Sequence, residues 1–98
     1  MYQIKFTRAG RPMDRDFAIK LITDGLSVSV AAVSDHDIPL FAATILTGTD
    51  SHANPCAYVS IPAVTQLNAA DMHAYASVAS AAQLLAADAD KALSDSDR

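Results

Sequence analysis

The sequence predicts an α+β domain: a small antiparallel sheet of about five strands in a meander, with one long C-terminal helix packed on one face. Three observations predict it. Between residues 2 and 61, apolar and polar residues alternate in several short runs separated by turn residues. From residue 68 to 93 the apolar period changes to three and four. The strand-like runs precede the helix instead of alternating with helices, which is the segregated pattern of α+β folds.

The helix is the most strongly marked element. Asn68 suits an N-cap, and Asp71 three residues later completes a capping-box spacing and complements the helix dipole. Leu67 and Met72 have the spacing of a hydrophobic staple. Met72, Tyr75, Val78, Ala79, Ala82, Leu85, Ala86, Ala89 and Leu93 form one apolar stripe, with His73, Ser77, Ser80, Asp88 and Lys91 opposite. Leu84 falls on the wet side, either as a stray exposed leucine or as a contact for a partner. Asp88, Asp90, Asp95 and Asp97 crowd the negative end of the dipole. Fraying after about Leu93 and a disordered tail over 94–98 are expected, leaving 1–93 as a single domain.

Residues 2–7 alternate as a half-buried strand, and 8–14, with Gly10 and Pro12, reads as a loop. Residues 17–23 and 26–30 flank Asp24-Gly25, the dipeptide of a two-residue type I′ hairpin. That register pairs Thr23 with Leu26, Leu21 with Val28, Ile19 with Val30 and Phe17 with Ala32. A helix over 14–24 ended by Gly25 is the rival; the β-branched Ile19, Ile22 and Thr23 favour the strand. Residues 34–37 are a turn cluster, 40–47 a third run, 48–55 a polar loop and 56–61 a last strand ended by Pro62. The uncovered face would then show Gln3, Lys5, Thr7, Lys20, Ile22, Ser27, Ser29 and Tyr58.

The chain has 98 residues, about half of them apolar, enough for one core. Cys56 is the sole cysteine, so no internal disulfide framework exists. Residues 1–20 lack the apolar run of a signal peptide, and the longest nearly apolar run, 38–46, is too short to span a membrane. A soluble cytoplasmic protein is expected. All eleven acids are aspartate, a residue that favours caps and turns over helix interiors. Lys5, Arg8, Arg11, Arg15 and Lys20 lie in the first 20 residues against Asp14 and Asp16; Lys91 and Arg98 face nine aspartates in the remainder. The result is a basic first hairpin on an acidic body.

No phosphate loop, Gly-x-Ser-x-Gly, Cys-x-x-Cys or His-Glu-x-x-His is present. Three histidines stand near aspartates: His36 between Asp35 and Asp37, His52 after Asp50, and His73 after Asp71. With Cys56 they have the chemistry of zinc or nickel ligands if they converge, a point that spacing leaves open. His36 also has the chemistry of a general base, but catalysis needs a shaped pocket. Cys56 opens a strand and reads as a small packed residue. No cofactor, no metal and no enzymatic activity are expected. The acidic net charge of −4 and the lack of tryptophan disfavour direct nucleic-acid binding.

What remains is a non-enzymatic protein-interaction module. Its expected partner-binding residues are Lys5, Arg8, Arg11, Arg15, Lys20, Tyr58 and Leu84. Separated charge favours steered association with a charged partner. In size and acidity the chain resembles the small single-domain inhibitors that phages and mobile elements encode against host machinery, anti-CRISPR proteins among them. That resemblance implies a nucleic-acid-binding host protein as partner, with aspartates standing where phosphates go, and it carries over no functional residues. The alternative is a structural or assembly subunit that self-associates as a homodimer, by sheet-edge pairing or through the alanine stripe.

Overall fold

The computed structural model describes residues 2–63 and 68–96. The chain runs β1 (Tyr2–Arg8), β2 (Arg11–Met13), α1 (Arg15–Thr23), β3 (Val28–Ser34), β4 (Pro39–Thr49), β5 (Pro55–Ser60) and α2 (Ala69–Ser96). The five strands form one antiparallel sheet in the order β2-β1-β3-β4-β5. The α+β architecture, with the long helix on one face of a five-stranded sheet, is as expected. A second helix shares that face.

That second helix corrects the expectation of a strand over 17–23. Asp14 is extended (φ −78°, ψ 171°) and its carboxylate accepts the Phe17 N–H at 2.8 Å, an N-cap. Asp16 in the first turn and Lys20 in the last complement the dipole. Ala18 and Ile22, four residues apart on one helical face, are both 0% exposed. The helix ends in a Schellman motif: the Leu26 N–H bonds the Leu21 carbonyl (2.9 Å) and the Gly25 N–H bonds the Ile22 carbonyl (3.0 Å). Gly25, at φ +88°, is therefore a helix C-terminal glycine, and not half of a hairpin turn. The expected pairings of Thr23, Leu21, Ile19 and Phe17 fall away with it. Lys20 and Ile22 leave the sheet for α1, with Ile22 in the core. Asp14→Ala is expected to cost about 1 kcal/mol in a urea titration. An unchanged midpoint would mean that residue 14 caps no helix.

The type I′ hairpin lies one element earlier. Residues 8–14, read as a loop, hold a two-residue turn at Ala9 (φ +52°) and Gly10 (φ +79°), and Arg8 pairs with Arg11 across it. β2 is only three residues long and carries Pro12, which has no N–H to donate.

Helix α2 starts where its sequence marks it. The Asn68 side-chain oxygen accepts the Asp71 N–H at 2.8 Å. Ala74, Val78, Ala82, Leu85, Ala86, Ala89 and Leu93 are buried on the sheet. Tyr75 and Ala79 of the expected stripe are partly buried, but Met72 is 58% exposed, in the helix's first turn. Leu67, its expected staple partner, lies outside the described residues. α2 continues to Ser96, three residues past Leu93, and residues 97–98 of the expected tail lie outside the described residues.

Eight of the sixteen buried apolar residues are alanine, including Ala32 and Ala43 on the sheet and four on α2. Small side chains on both surfaces let the helix lie close to the strands. The larger Val30, Ile45, Val78 and Leu85 are each 2% exposed or less and add apolar area to that contact.

Both sheet edges are blunted. β2 is short and interrupted by proline. On β5 the Asp90 carboxylate of α2 accepts the Ala57 N–H at 2.5 Å, and the Tyr75 hydroxyl of α2 donates to the Pro62 carbonyl just beyond the strand. An edge amide that already has an acceptor offers nothing to another strand. The alanine stripe is buried against the sheet as well.

Candidate functional site

Strand alternation assigns each side chain a face. Tyr2, Ile4 and Phe6 of β1, Val28, Val30 and Ala32 of β3, Phe41, Ala43 and Ile45 of β4, and Ala57 and Val59 of β5 turn to the helices, where all join the core or pack against it. The intervening residues form the other, uncovered face. They are Gln3, Lys5 and Thr7; Pro12; Ser29, Ala31 and Val33; Ala42, Thr44 and Leu46; and Cys56, Tyr58 and Ser60.

This face is mild in character. Lys5 is its one charged residue, and the Lys5 ammonium lies 3.6 Å from Asp37 in the turn after β3. Ala31 and Val33 form the floor of a shallow groove of about 360 Å³ beside Lys5, Thr7, Pro12 and Pro39. Farther across, Leu46 and Tyr58 are opposite one another on β4 and β5 and both are exposed. The Tyr58 ring lies over Gly48. A Cβ placed there would meet the ring at 2.8 Å, so glycine leaves the space the tyrosine fills. The Tyr58 hydroxyl donates to the Thr49 carbonyl, tying the ring down. Hydrogen bonding with the Cys56 side chain, followed by desolvation and nearby negative charge, pushes the phenol above its ordinary value.

The expected partner-binding residues do not form one patch. Arg8 and Arg11 are cross-strand partners on the helix side of the hairpin, away from Lys5. Arg8 donates to the Ser27 carbonyl (2.8 Å) and hydroxyl (3.0 Å). Arg15 crosses from α1 to α2, where it pairs with Asp88 and reaches the Leu84 carbonyl. The Lys20 ammonium has no hydrogen-bond or ion-pair partner among the described residues. Leu84 is 65% exposed, on the outward side of α2 as its position in the periodicity requires. Tyr58 is on the uncovered face, three strands from Lys5. Sequence reasoning passed over Leu46 and Ala42 on that face, since the blurred alternation of β4 concealed which residues point outward.

The histidines are in three separate places. His36 is in the turn after β3, where the Ser34 hydroxyl accepts the His36 and Ile38 N–H groups at 3.2 Å. His52 is at the tip between β4 and β5. His73 is in the second turn of α2, with Nδ1 2.5 Å from the Tyr2 hydroxyl. Among the described residues, no three His, Cys or Asp side chains come together in a way that would hold a metal ion. Ser77 donates to the His73 carbonyl and lies 2.9 Å from the Tyr2 hydroxyl. With His73 Nδ1–H donating to Tyr2 and Tyr2 to Ser77, each hydrogen is used once. In that arrangement Ser77 serves a backbone carbonyl and has no base of its own. Among the described residues, no helix is long and apolar enough to cross a membrane.

At the β4–β5 tip, Asp50 accepts the N–H groups of Asn54 (3.0 Å) and His52 (2.8 Å). These bonds favour the ionised form and hold the Asp50 carboxyl below its ordinary value. The folded value is the depressed one. The stabilisation is therefore present above the ordinary aspartate value and is lost as pH falls through the lowered one. The His52 and Asn54 amide resonances are expected to titrate with a midpoint below that of an unstructured aspartyl peptide. A midpoint at or above it would contradict the turn geometry.

A scan of protein-family models gave no match, and searches of curated proteins and of solved structures gave no significant match.

Proposed function

We propose that the protein is a non-enzymatic, cytoplasmic protein-binding module that docks a partner protein on the uncovered face of its sheet. What supports this is the distribution of charge. The chain has seven lysines and arginines and eleven aspartates, yet the whole outward face of the sheet holds only Lys5, already beside Asp37. Protein interfaces combine a charge-depleted centre with a polar rim. Here Ala42, Leu46 and Tyr58 supply apolar area, and the turns bearing Asp37 and Asp50 supply the rim.

An inhibitor of a nucleic-acid-processing host complex is one form of this function. In that form the sheet face, and not the acidic helix end, makes the contact. Asp88 is occupied by Arg15 and Asp90 by the Ala57 amide, so two of the four aspartates suited to phosphate mimicry are engaged within the chain.

The test is affinity capture from nuclease-treated lysate of the source cells, with Ala42→Lys and Leu84→Lys compared to the wild type. Both sites are exposed, so each variant is expected to stay within about 0.5 kcal/mol of wild-type stability. A stoichiometric partner kept by Leu84→Lys and lost by Ala42→Lys is the expected result. Retention by Ala42→Lys would reject the sheet face. Light scattering of the purified protein checks the other occupant of the same face: a dimer dispersed by Ala42→Lys would replace the partner protein with a second copy.

A further inference from the structure

On the helix side of the β1–β2 hairpin lies a cleft of about 670 Å³, lined by Arg8, Arg11, Pro12, Met13, Phe17 and Leu21. It opens on the side away from the uncovered sheet face and shares only Pro12 with the groove there. Arg8 and Arg11 are directly opposite in the register. Like charges placed opposite on a hairpin work against its formation.

Among the described residues, no carboxylate pairs with either of these arginines. Arg8 is held by the Ser27 carbonyl and hydroxyl, both uncharged, through one guanidinium nitrogen. The Arg11 guanidinium has no hydrogen-bond or ion-pair partner among the described residues. By contrast, Lys5 and Arg15 each have a carboxylate, Asp37 and Asp88. Asp14 also borders the cleft, but its side chain is engaged as the α1 cap by the Phe17 N–H. The two-residue turn that fixes the arginines opposite each other includes Ala9 at φ +52°, a conformation that costs a residue with a Cβ about 1 kcal/mol. Opposed charge and backbone strain thus meet at one end of the hairpin.

The remaining wall is apolar. Phe17 is 45% exposed, and Met13 and Leu21 are partly buried beside it. Two guanidinium groups next to an apolar wall complement an anion that carries an apolar body. We propose that this cleft binds a peptide segment of a partner protein in which a carboxylate stands beside a large apolar side chain. The arginine pair takes the carboxylate, with Arg8 pre-positioned by Ser27. The wall of Met13, Phe17 and Leu21 takes the side chain. A nucleic-acid strand fits less well: it needs a continuous track of cations. Here Asp14 and Asp16 follow directly on the hairpin.

Random octapeptides displayed on phage, selected against the folded protein, test the proposal. Enrichment of Asp or Glu next to Phe, Leu, Ile or Trp is the expected result. By fluorescence anisotropy, the enriched peptides are expected to bind Arg11→Gln about ten-fold more weakly, in line with loss of one charged hydrogen-bonded contact. Phe17→Ser and amidation of the peptide's acid are each expected to weaken binding as well. Peptide-induced amide shifts should appear at Arg8, Arg11 and Phe17 and be absent at Leu46 and Tyr58. Without peptide, Arg11→Gln should be at least as stable as the wild type, because the opposed charge is gone. A selection that enriches no acidic–apolar motif overturns the proposal. So do peptides that bind both variants as tightly as the wild type, and so does a short oligothymidine that displaces the peptides through the same arginines.

Discussion

Leu85→Ala is expected to destabilise the protein by roughly 3 kcal/mol, the largest loss from any single truncation on α2. Leu85 is 0% exposed and is the largest side chain of that helix to be fully buried. Its removal loses the transfer free energy of the deleted carbons and leaves a cavity whose alanine-rich surroundings have little side chain with which to fill it. A urea titration should show a lower midpoint with an unchanged slope. The adjacent residue provides the control: Leu84 is 65% exposed, and Leu84→Ala should stay within about 0.5 kcal/mol of the wild type. Equal effects at the two positions would mean that α2 is rotated about its axis from the orientation described.

Ala82→Leu is expected to destabilise as well, and here the sign is the informative quantity. Alanine and leucine are both strong helix formers, so propensity changes little. If the larger side chain found room, the added apolar carbons would stabilise the fold by about 2 kcal/mol. Ala82 is 0% exposed, and the sheet beneath α2 includes the fully buried Ala32 and Ala43. With small residues on both surfaces, the gap has closed and no space is left for the extra carbons. Overpacking of this kind costs roughly 1–3 kcal/mol. Thermal unfolding should therefore occur at lower temperature for Ala82→Leu. A rise would show that helix and sheet are farther apart than the alanines indicate.

The elements that were legible in the sequence are those whose signals are local. Asn68 and Asp71 mark the start of α2 through hydrogen bonds within one turn. The spacing of Val78, Ala82, Leu85, Ala86, Ala89 and Leu93 marks its buried side. β1, β4 and β5 also lie where alternation places them. Residues 17–23 were ambiguous because Phe17, Ile19 and Leu21 alternate while Ala18 and Ile22 repeat at four. The β propensity of Ile19, Ile22 and Thr23 favours a strand. The Asp14 cap, the Schellman ending at Gly25 and the packing of α1 on α2 decide for the helix. Tertiary context outweighs intrinsic preference in such a segment. The β1–β2 hairpin was missed for a different reason: its positive-φ turn is Ala9-Gly10, and alanine at the first position is not a turn signal.

The candidate sites were only partly legible for the same reason. The cluster of cations in the first 20 residues is plain in the sequence. Its division is set by long-range contacts that spacing does not encode. Lys5 goes to the uncovered sheet face and Arg15 to Asp88 on α2, while Arg8 and Arg11 meet across a turn the alternation did not reveal. Tyr58 could be placed on the uncovered face because β5 alternates cleanly. Ala42 and Leu46 could not, because β4 is apolar on both faces and its pairing with β3 shifts by one residue between Ala32 and Val33.

The uncovered sheet face is the proposed seat of the protein partner. Its most direct measurement is site-specific photo-crosslinking in the source cells, with a benzophenone amino acid installed at Ala42 in one sample and at Leu84 in another. A discrete crosslink from position 42 to one protein, absent from position 84, is the predicted result. Crosslinks from position 84 alone, or none from position 42 while the captured partner is still bound, would contradict it.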